Sequence, residues 1–167
     1  MSRLFFALWP DEATRQALAG MSELLPPGGK PVAAANLHIT LVFLGSANEI
    51  QQEELIAGAG SIECKPFTLS LYQLVWWRKP RIIQASPAET PEALQQMVAS
   101  LRQLAADCGI AVDQRHYEAH VTLARKVRLA KDLPQPAPVI WPVDNFCLVR
   151  SDTLPEGAQY EVIWRRN

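Results

Sequence analysis

The chain has 167 residues, 49% of them hydrophobic, with a formal net charge of −1. That length suits one compact domain, because a chain of this size buries about two-thirds of its unfolded surface. A near-neutral balance excludes a surface built to coat a polyanion, so any such contact is confined to a site.

Arg3 to Trp9 reads as a strand. Its apolar run could be mistaken for an export signal, but Pro10-Asp11-Glu12 interrupts it. Pro10-Asp11 opens a helix in which Leu18, Met21 and Leu25 recur at helical spacing. Pro26 to Pro31 cannot continue that helix, and Leu37 to Gly45 is a short apolar run suited to a buried strand. Ser46 and Glu49 fit a capping box, starting a second helix that reaches about Gly58 or Gly60. Pro66 to Trp77 alternates as a strand, with Phe67, Leu69 and Leu71 on one side and Arg81 to Ala85 as its partner.

Thr90 as N-cap, Pro91 at the first helical position, Glu92 in the first turn and Gly109 past the end bracket a third helix, with Leu94, Met97, Leu101, Leu104 and Cys108 inward. Beyond it come a strand around Ala119 to Ala124, a Pro-punctuated connection from Leu133 to Pro142, and closing strands near Asn145 to Arg150 and Gln159 to Arg165. The helices do not alternate one-for-one with strands, so the class is α+β, with mostly antiparallel strands and helices outside. No apolar run approaches the length of about 18 residues that a membrane span needs. Cys64, Cys108 and Cys147 are odd in number and widely spread, which points to a reducing, cytoplasmic setting rather than a disulfide framework.

Two of the three histidines open the same pattern, His38-Ile39-Thr40-Leu41 and His120-Val121-Thr122-Leu123. From average residue usage, chance repetition is on the order of one in a thousand. The strand period of two places His and Thr on one face of each copy and the apolar pair on the other. A lone histidine in a strand is more often structural than catalytic, but a core seldom holds two matched polar pairs projecting from apolar strands. Side by side, the two copies would line a phosphate-sized cleft with two imidazoles and two hydroxyls. Imidazole titrates near neutrality, so one neutral and one protonated ring can serve as base and acid in a phosphodiester displacement. Thr40 and Thr122 can donate to non-bridging oxygens, and Arg125 can add a charge-assisted contact.

Other signals are weaker. His116 lies four residues before His120, the spacing of a helical zinc pair, but the carboxylate expected at the second position is missing. On a strand, His116, Glu118, His120 and Thr122 would share a face, where His116 or Glu118 either orients the catalytic ring or is solvated. Trp76 and Trp77 beside Arg78, Lys79 and Arg81 could stack a base, though at most one of the two indoles can face a substrate. Arg128 and Lys131 extend the charge of Arg125-Lys126 into an edge that steers a polyanion at most.

These residues resemble the two-histidine (2H) phosphoesterases, in particular the bacterial RNA 2′,3′-cyclic phosphodiesterases first described as 2′-5′ RNA ligases. The likeness covers nearly the whole chain, including Arg3-Leu4-Phe5-Phe6-Ala7-Leu8, Asn36-Leu37-His38-Ile39-Thr40-Leu41-Val42-Phe43-Leu44-Gly45 and His120-Val121-Thr122-Leu123-Ala124-Arg125. The resemblance implies a bilobal α+β fold: two antiparallel sheets related by a pseudo-two-fold axis, helices outside and a central cleft. Residues 1–167 would then form a single domain of two interleaved lobes. It further implies that His38 protonates the departing O3′ while His120 activates water, leaving an RNA 2′-phosphomonoester. No metal or organic cofactor is implied. The implied partner is RNA ending in a 2′,3′-cyclic phosphate, tRNA fragments included, and family members also join certain tRNA halves through a 2′-5′ bond. No obligate protein partner is expected, so the chain should be a monomer.

The family often carries an Arg-Pro-Phe-x-Pro-His pattern at the second motif, where this chain has Arg115-His116-Tyr117-Glu118-Ala119-His120. The entering loop, and any substrate contact around Tyr117, should therefore differ. Two readings of other classes stay open: a non-catalytic nucleotide- or RNA-end-binding module using the same cleft, and a metal-dependent hydrolase using His116 and His120. Within the enzyme class, another cyclic or 2′,5′-linked nucleotide is the rival substrate. Retention of all four polar motif residues favours catalysis over binding alone.

Overall fold

The computed structural model describes residues 2–167. Strand β1 (Ser2–Leu8) shows how the sheet is covered, because Leu4 to Leu8 are all buried. Successive strand residues face opposite sides, so a strand buried throughout has cover on both. Leu4, Phe6 and Leu8 enter the main core, whereas Phe5 and Ala7 join a smaller cluster with Cys147 and Val149 on the other face. The main core also takes Leu18 and Met21 from α1 (Glu12–Glu23), Leu55 and Ala59 from α2 (Glu49–Ala59), and Leu94, Met97, Val98, Leu101 and Ala105 from α3 (Glu92–Asp107). The helices thus share one face of the sheet, leaving the other for a site.

The large sheet runs β10-β9-β1-β3-β7-β6-β5, with β2 (Lys30–Pro31) also on β7. Its members are β3 (Ile39–Ala47), β5 (Gln73–Trp77), β6 (Ile82–Ser86), β7 (Val121–Arg125), β9 (Cys147–Leu154) and β10 (Gly157–Arg165), and their pairings are antiparallel. Strands β4 (Phe67–Leu71) and β8 (Val139–Val143) form a separate two-stranded sheet. The large sheet is two halves meeting at a seam, where β3 and β7 share the single pair Ile39↔Val121. The expected α+β architecture of two lobes is realised in this way. The closing strands β9 and β10 return to β1, so the last part of the chain completes the first half of the sheet. Among the described residues, no helix is long and apolar enough to cross a membrane.

Four local expectations are corrected. The capping box of α2 is Asn48 with Gln51 rather than Ser46 with Glu49. The β1–β3 ladder extends to Ser2↔Ala47, so Ser46 is still paired with Arg3 and cannot cap. Thr90 is not the N-cap of α3, a position held by Pro91 without a side-chain bond; the Thr90 hydroxyl accepts from Ala119 N at 3.3 Å. The stretch Pro66 to Trp77 splits at Tyr72 into β4 and β5, which belong to different sheets. Within the expected connection from Leu133 to Pro142 lies β8, whose Val139, Trp141 and Val143 are buried. Pro142 is tolerated there because β8 has one partner strand and an open side needing no donor. By contrast, Asp11 does start α1, its carboxylate accepting from Thr14 N at 2.7 Å, and Gly109 ends α3 at φ +75°.

Candidate active site

The seam brings the two motifs together. His38 and His120 each stand one residue before their strands, and Ile39↔Val121 is the pair formed by the residues that follow them. Extending that antiparallel register by one residue either way sets His38 opposite Thr122 and Thr40 opposite His120, all on one face. These four side chains, with Arg125, line a groove of about 590 Å³, a size typical of small-molecule sites. Lys30 and Lys126 add positive charge to the rim, and Glu156 is the one acidic residue of the lining. The five expected site residues are therefore gathered in one place.

Both imidazoles are held by the same local device. His38 Nδ1 lies 2.6 Å from Asn36 O, and His120 Nδ1 lies 3.0 Å from Glu118 O, in each case the carbonyl two residues earlier. A carbonyl only accepts, so Nδ1 carries the hydrogen and Nε2 is left for the groove as base when neutral and donor when charged. His38 Nε2 is 3.1 Å from Thr40 Oγ1, close enough for the hydroxyl to donate to the neutral ring. Burial pushes His38 down to about 4; the bond to Asn36 O opposes this, and the charges of Arg125 and His120 add to it. With the groove empty, His38 is therefore neutral at pH 7.

Several residues that matter here escaped the sequence reading. The Tyr117 hydroxyl donates to Thr40 O at 2.9 Å, tying the approach to the second motif to the backbone of the first. Burial raises its phenol well above the ordinary value, which keeps it a neutral donor. Tyr117 is buried beneath the seam and absent from the groove lining, so its part is to brace the two motifs. Thr90, through Ala119 N, steadies the residue just before His120. Phe43 also lines the groove and is 50% exposed. A register shift, in which Phe6 pairs with Val42 and Ala7 with Thr40, turns Phe43 rather than Val42 onto the groove face. Alternation alone would have placed Val42 there.

The weaker signals separate clearly. Residues 116–120 are neither helix nor strand, which removes the helical premise of a His116 and His120 metal pair, and His116 is exposed. Among the described residues, no group of three His, Cys, Asp or Glu side chains is arranged to hold a metal ion. Trp76 packs with Ile83 and Val127 and donates to Val127 O at 3.3 Å, whereas Trp77 is 44% exposed. Neither indole lines the groove.

The LigT like phosphoesterase family model matches the chain twice, over residues 8–84 and 85–160, each match containing one histidine motif. The RNA 2′,3′-cyclic phosphodiesterase of Escherichia coli is 36% identical over 136 residues, covering 80% of this chain and 77% of that protein. The Thermus thermophilus protein of the same name is 31% identical over 178 residues, covering 96% of this chain and 87% of its own length. The crystal structure of E. coli LigT complexed with 3′-AMP superposes with a TM-score of 0.90 at 32% identity, covering 98% of this chain and 96% of that one. With two repeats matched and relatives alike over most of their length, this chain belongs to the LigT like phosphoesterase family.

Proposed function

We propose that this protein hydrolyses RNA 2′,3′-cyclic phosphate ends to 2′-phosphomonoesters through His38 and His120. The observation that carries the reading is the seam pair Ile39↔Val121, which sets two imidazoles, each anchored at Nδ1 by a backbone carbonyl, across one cationic groove. The names of the relatives agree with that substrate.

Each residue has a role in this reaction. The cyclic phosphate sits between the histidines, its non-bridging oxygens taking bonds from the Thr40 and Thr122 hydroxyls and the Arg125 guanidinium. His120 removes a proton from water as the water oxygen attacks phosphorus. The P–O3′ bond breaks on the opposite side, and His38 delivers its proton to O3′. One bond forms and one breaks, and the two imidazoles end with their protonation states exchanged. Protons supply the catalysis, so no metal is needed. Phe43, half exposed and with the Arg3 guanidinium over its ring at 5.4 Å, leaves its other face for a terminal base to stack on.

With a 5′-hydroxyl in place of water, the same steps would form a 2′-5′ bond, so weak joining of tRNA fragments is open to the site. The free thiols of Cys64, Cys108 and Cys147 suit a cytoplasmic setting. Both motifs come from one chain and no second copy is required, which supports action as a single-domain monomer of two interleaved lobes.

The test is hydrolysis of a short RNA with a 2′,3′-cyclic phosphate end, in excess chelator, by the wild type, His38→Ala and His120→Ala. Turnover in the wild type and its loss in both folded variants is the expected result. Undiminished turnover in either variant would overturn the paired roles. A wild type that binds the RNA without hydrolysing it would favour the end-binding reading.

A further inference from the structure

The two motifs are repeated, but their surroundings are not. His38 is boxed by three rings drawn from the two ends of the chain. Trp9 stacks on it with centroids 5.3 Å apart and planes 13° from parallel. Phe5 lies 5.0 Å away, tilted by 34°, and Tyr160 on β10 meets the imidazole edge-on at 5.2 Å. Tyr160 also touches Phe5 and Trp9 edge-on, at 5.3 and 6.4 Å, so the box braces itself. Asn36, whose carbonyl takes the His38 Nδ1 hydrogen, donates through its side chain to Ala158 O at 3.2 Å, tying β10 to the same histidine. Among the described residues, no aromatic ring packs on His120.

This enclosure has two physical effects. A ring confined on several sides keeps the orientation that aims Nε2 at Thr40 and the groove. Exclusion of water disfavours the imidazolium. From β1 and the residue after it, only the uncharged Phe5 and Trp9 face the ring, and β10 presents the Tyr160 phenol. Arg125 and His120 act on it from the other half of the groove, and both disfavour its charge. The one acid of the groove lining is Glu156, on the turn between β9 and β10. The Trp9 face attracts a cation, so the stack supports the charged ring once an anion has offset the rest.

We propose that Trp9, with Phe5 and Tyr160, is a positioning residue for His38: the box aims the imidazole and keeps it neutral until an anionic phosphodiester enters the groove, so that the substrate charges its own proton donor. This rests on the reading of His38 as donor. Trp9 is absent from the groove lining and therefore acts through His38 without touching the reacting atoms, whereas Phe5 and Tyr160 also line the groove.

The test is a proton NMR titration of the histidine Hε1 signals in the wild type, Trp9→Phe and Trp9→Ala, each with and without inorganic phosphate. The spectrum of His38→Gln assigns the signal. In the free wild type the His38 midpoint should lie near 4, and saturating phosphate should raise it by about two to three units, enough to populate the imidazolium near neutral pH. Trp9→Ala should move the free midpoint toward about 6.5 and shrink the phosphate response, while Trp9→Phe stays within about half a unit of the wild type. In turnover, Trp9→Ala should lower kcat about tenfold with KM changed less than about twofold.

If Trp9→Ala does not fold, Tyr160→Leu opens the box from its other side and must move the midpoint the same way. A His38 that titrates at its ordinary position in the free wild type overturns the proposal. So does an opened box whose midpoint and phosphate response match the wild type. The titration does not depend on turnover: the expected titration without hydrolysis would sink the proposed reaction alone, and an ordinary titration with hydrolysis would sink the box alone.

Discussion

In the half of the sheet that carries His38, β1 is buried on both faces, by helices on one side and, on the other, where Phe5 and Ala7 cluster with Cys147 and Val149, by Trp9, Tyr160 and Val162. In the half that carries His120, the register runs Thr122↔Gln84↔Val75 across the groove face, and Val75 at its end is 37% exposed. The two His-x-Thr motifs are placed symmetrically about the pair Ile39↔Val121, whereas the cover around them is not symmetric. A duplicated motif supplies two equivalent imidazoles. Burial holds His38 below its ordinary value, so two rings alike in motif differ in surroundings.

The comparison breaks most severely if the histidines act separately. His38→Ala and His120→Ala should each lower kcat by about 10²–10⁴-fold, and the double variant should fall little below the worse single one, because acid and base serve one displacement. Losses that multiply in single-turnover assays would argue for independent steps. Next in size are the proposed phosphate contacts. Arg125→Gln should cost on the order of 1.5–3 kcal/mol of transition-state binding, and Thr122→Val about 1 kcal/mol, read as kcat/KM.

The pH dependence of stability sharpens the contrast between the two sites. His38 titrates near 4 when folded and near 6.5 when unfolded, so between those values the unfolded chain binds more protons. Its contribution is complete above about pH 6.5 and is lost as pH falls through about 4, on the order of 1–2 kcal/mol after allowance for partial exposure. Urea melts across that window should show the loss in the wild type and in His120→Gln, but not in His38→Gln. The smallest effect is expected at Trp77, outside the groove: Trp77→Ala should leave kcat/KM within about twofold and stability within about 0.5 kcal/mol.

The gathering of the site residues was legible because a short repeated pattern carries them: His38, Thr40, His120, Thr122 and Arg125 all reach the groove. Their unequal surroundings were not. Phe5 and Trp9 sit in an apolar run that gives no sign of which face each residue takes, and Tyr160 reaches His38 only because β10 returns to the first half of the sheet. Long-range pairing of that kind leaves no local periodicity. The helices were read correctly as elements, but two of their starts were not, since Ser46 and Thr90 are claimed by partners distant in sequence, Arg3 and Ala119. Strand β8 was hidden by Pro142 within it, which an edge position permits, and by the prolines that precede it. Phe43 needed knowledge of a register shift that no sequence pattern announces.

The decisive measurement is phosphorus NMR of a short RNA carrying a 2′,3′-cyclic phosphate, incubated with the wild type in excess chelator. If His38 protonates O3′, the cyclic resonance gives way to a single 2′-monoester resonance. A cyclic resonance that persists beside folded protein, or a 3′-monoester as the product, would contradict the proposed reaction.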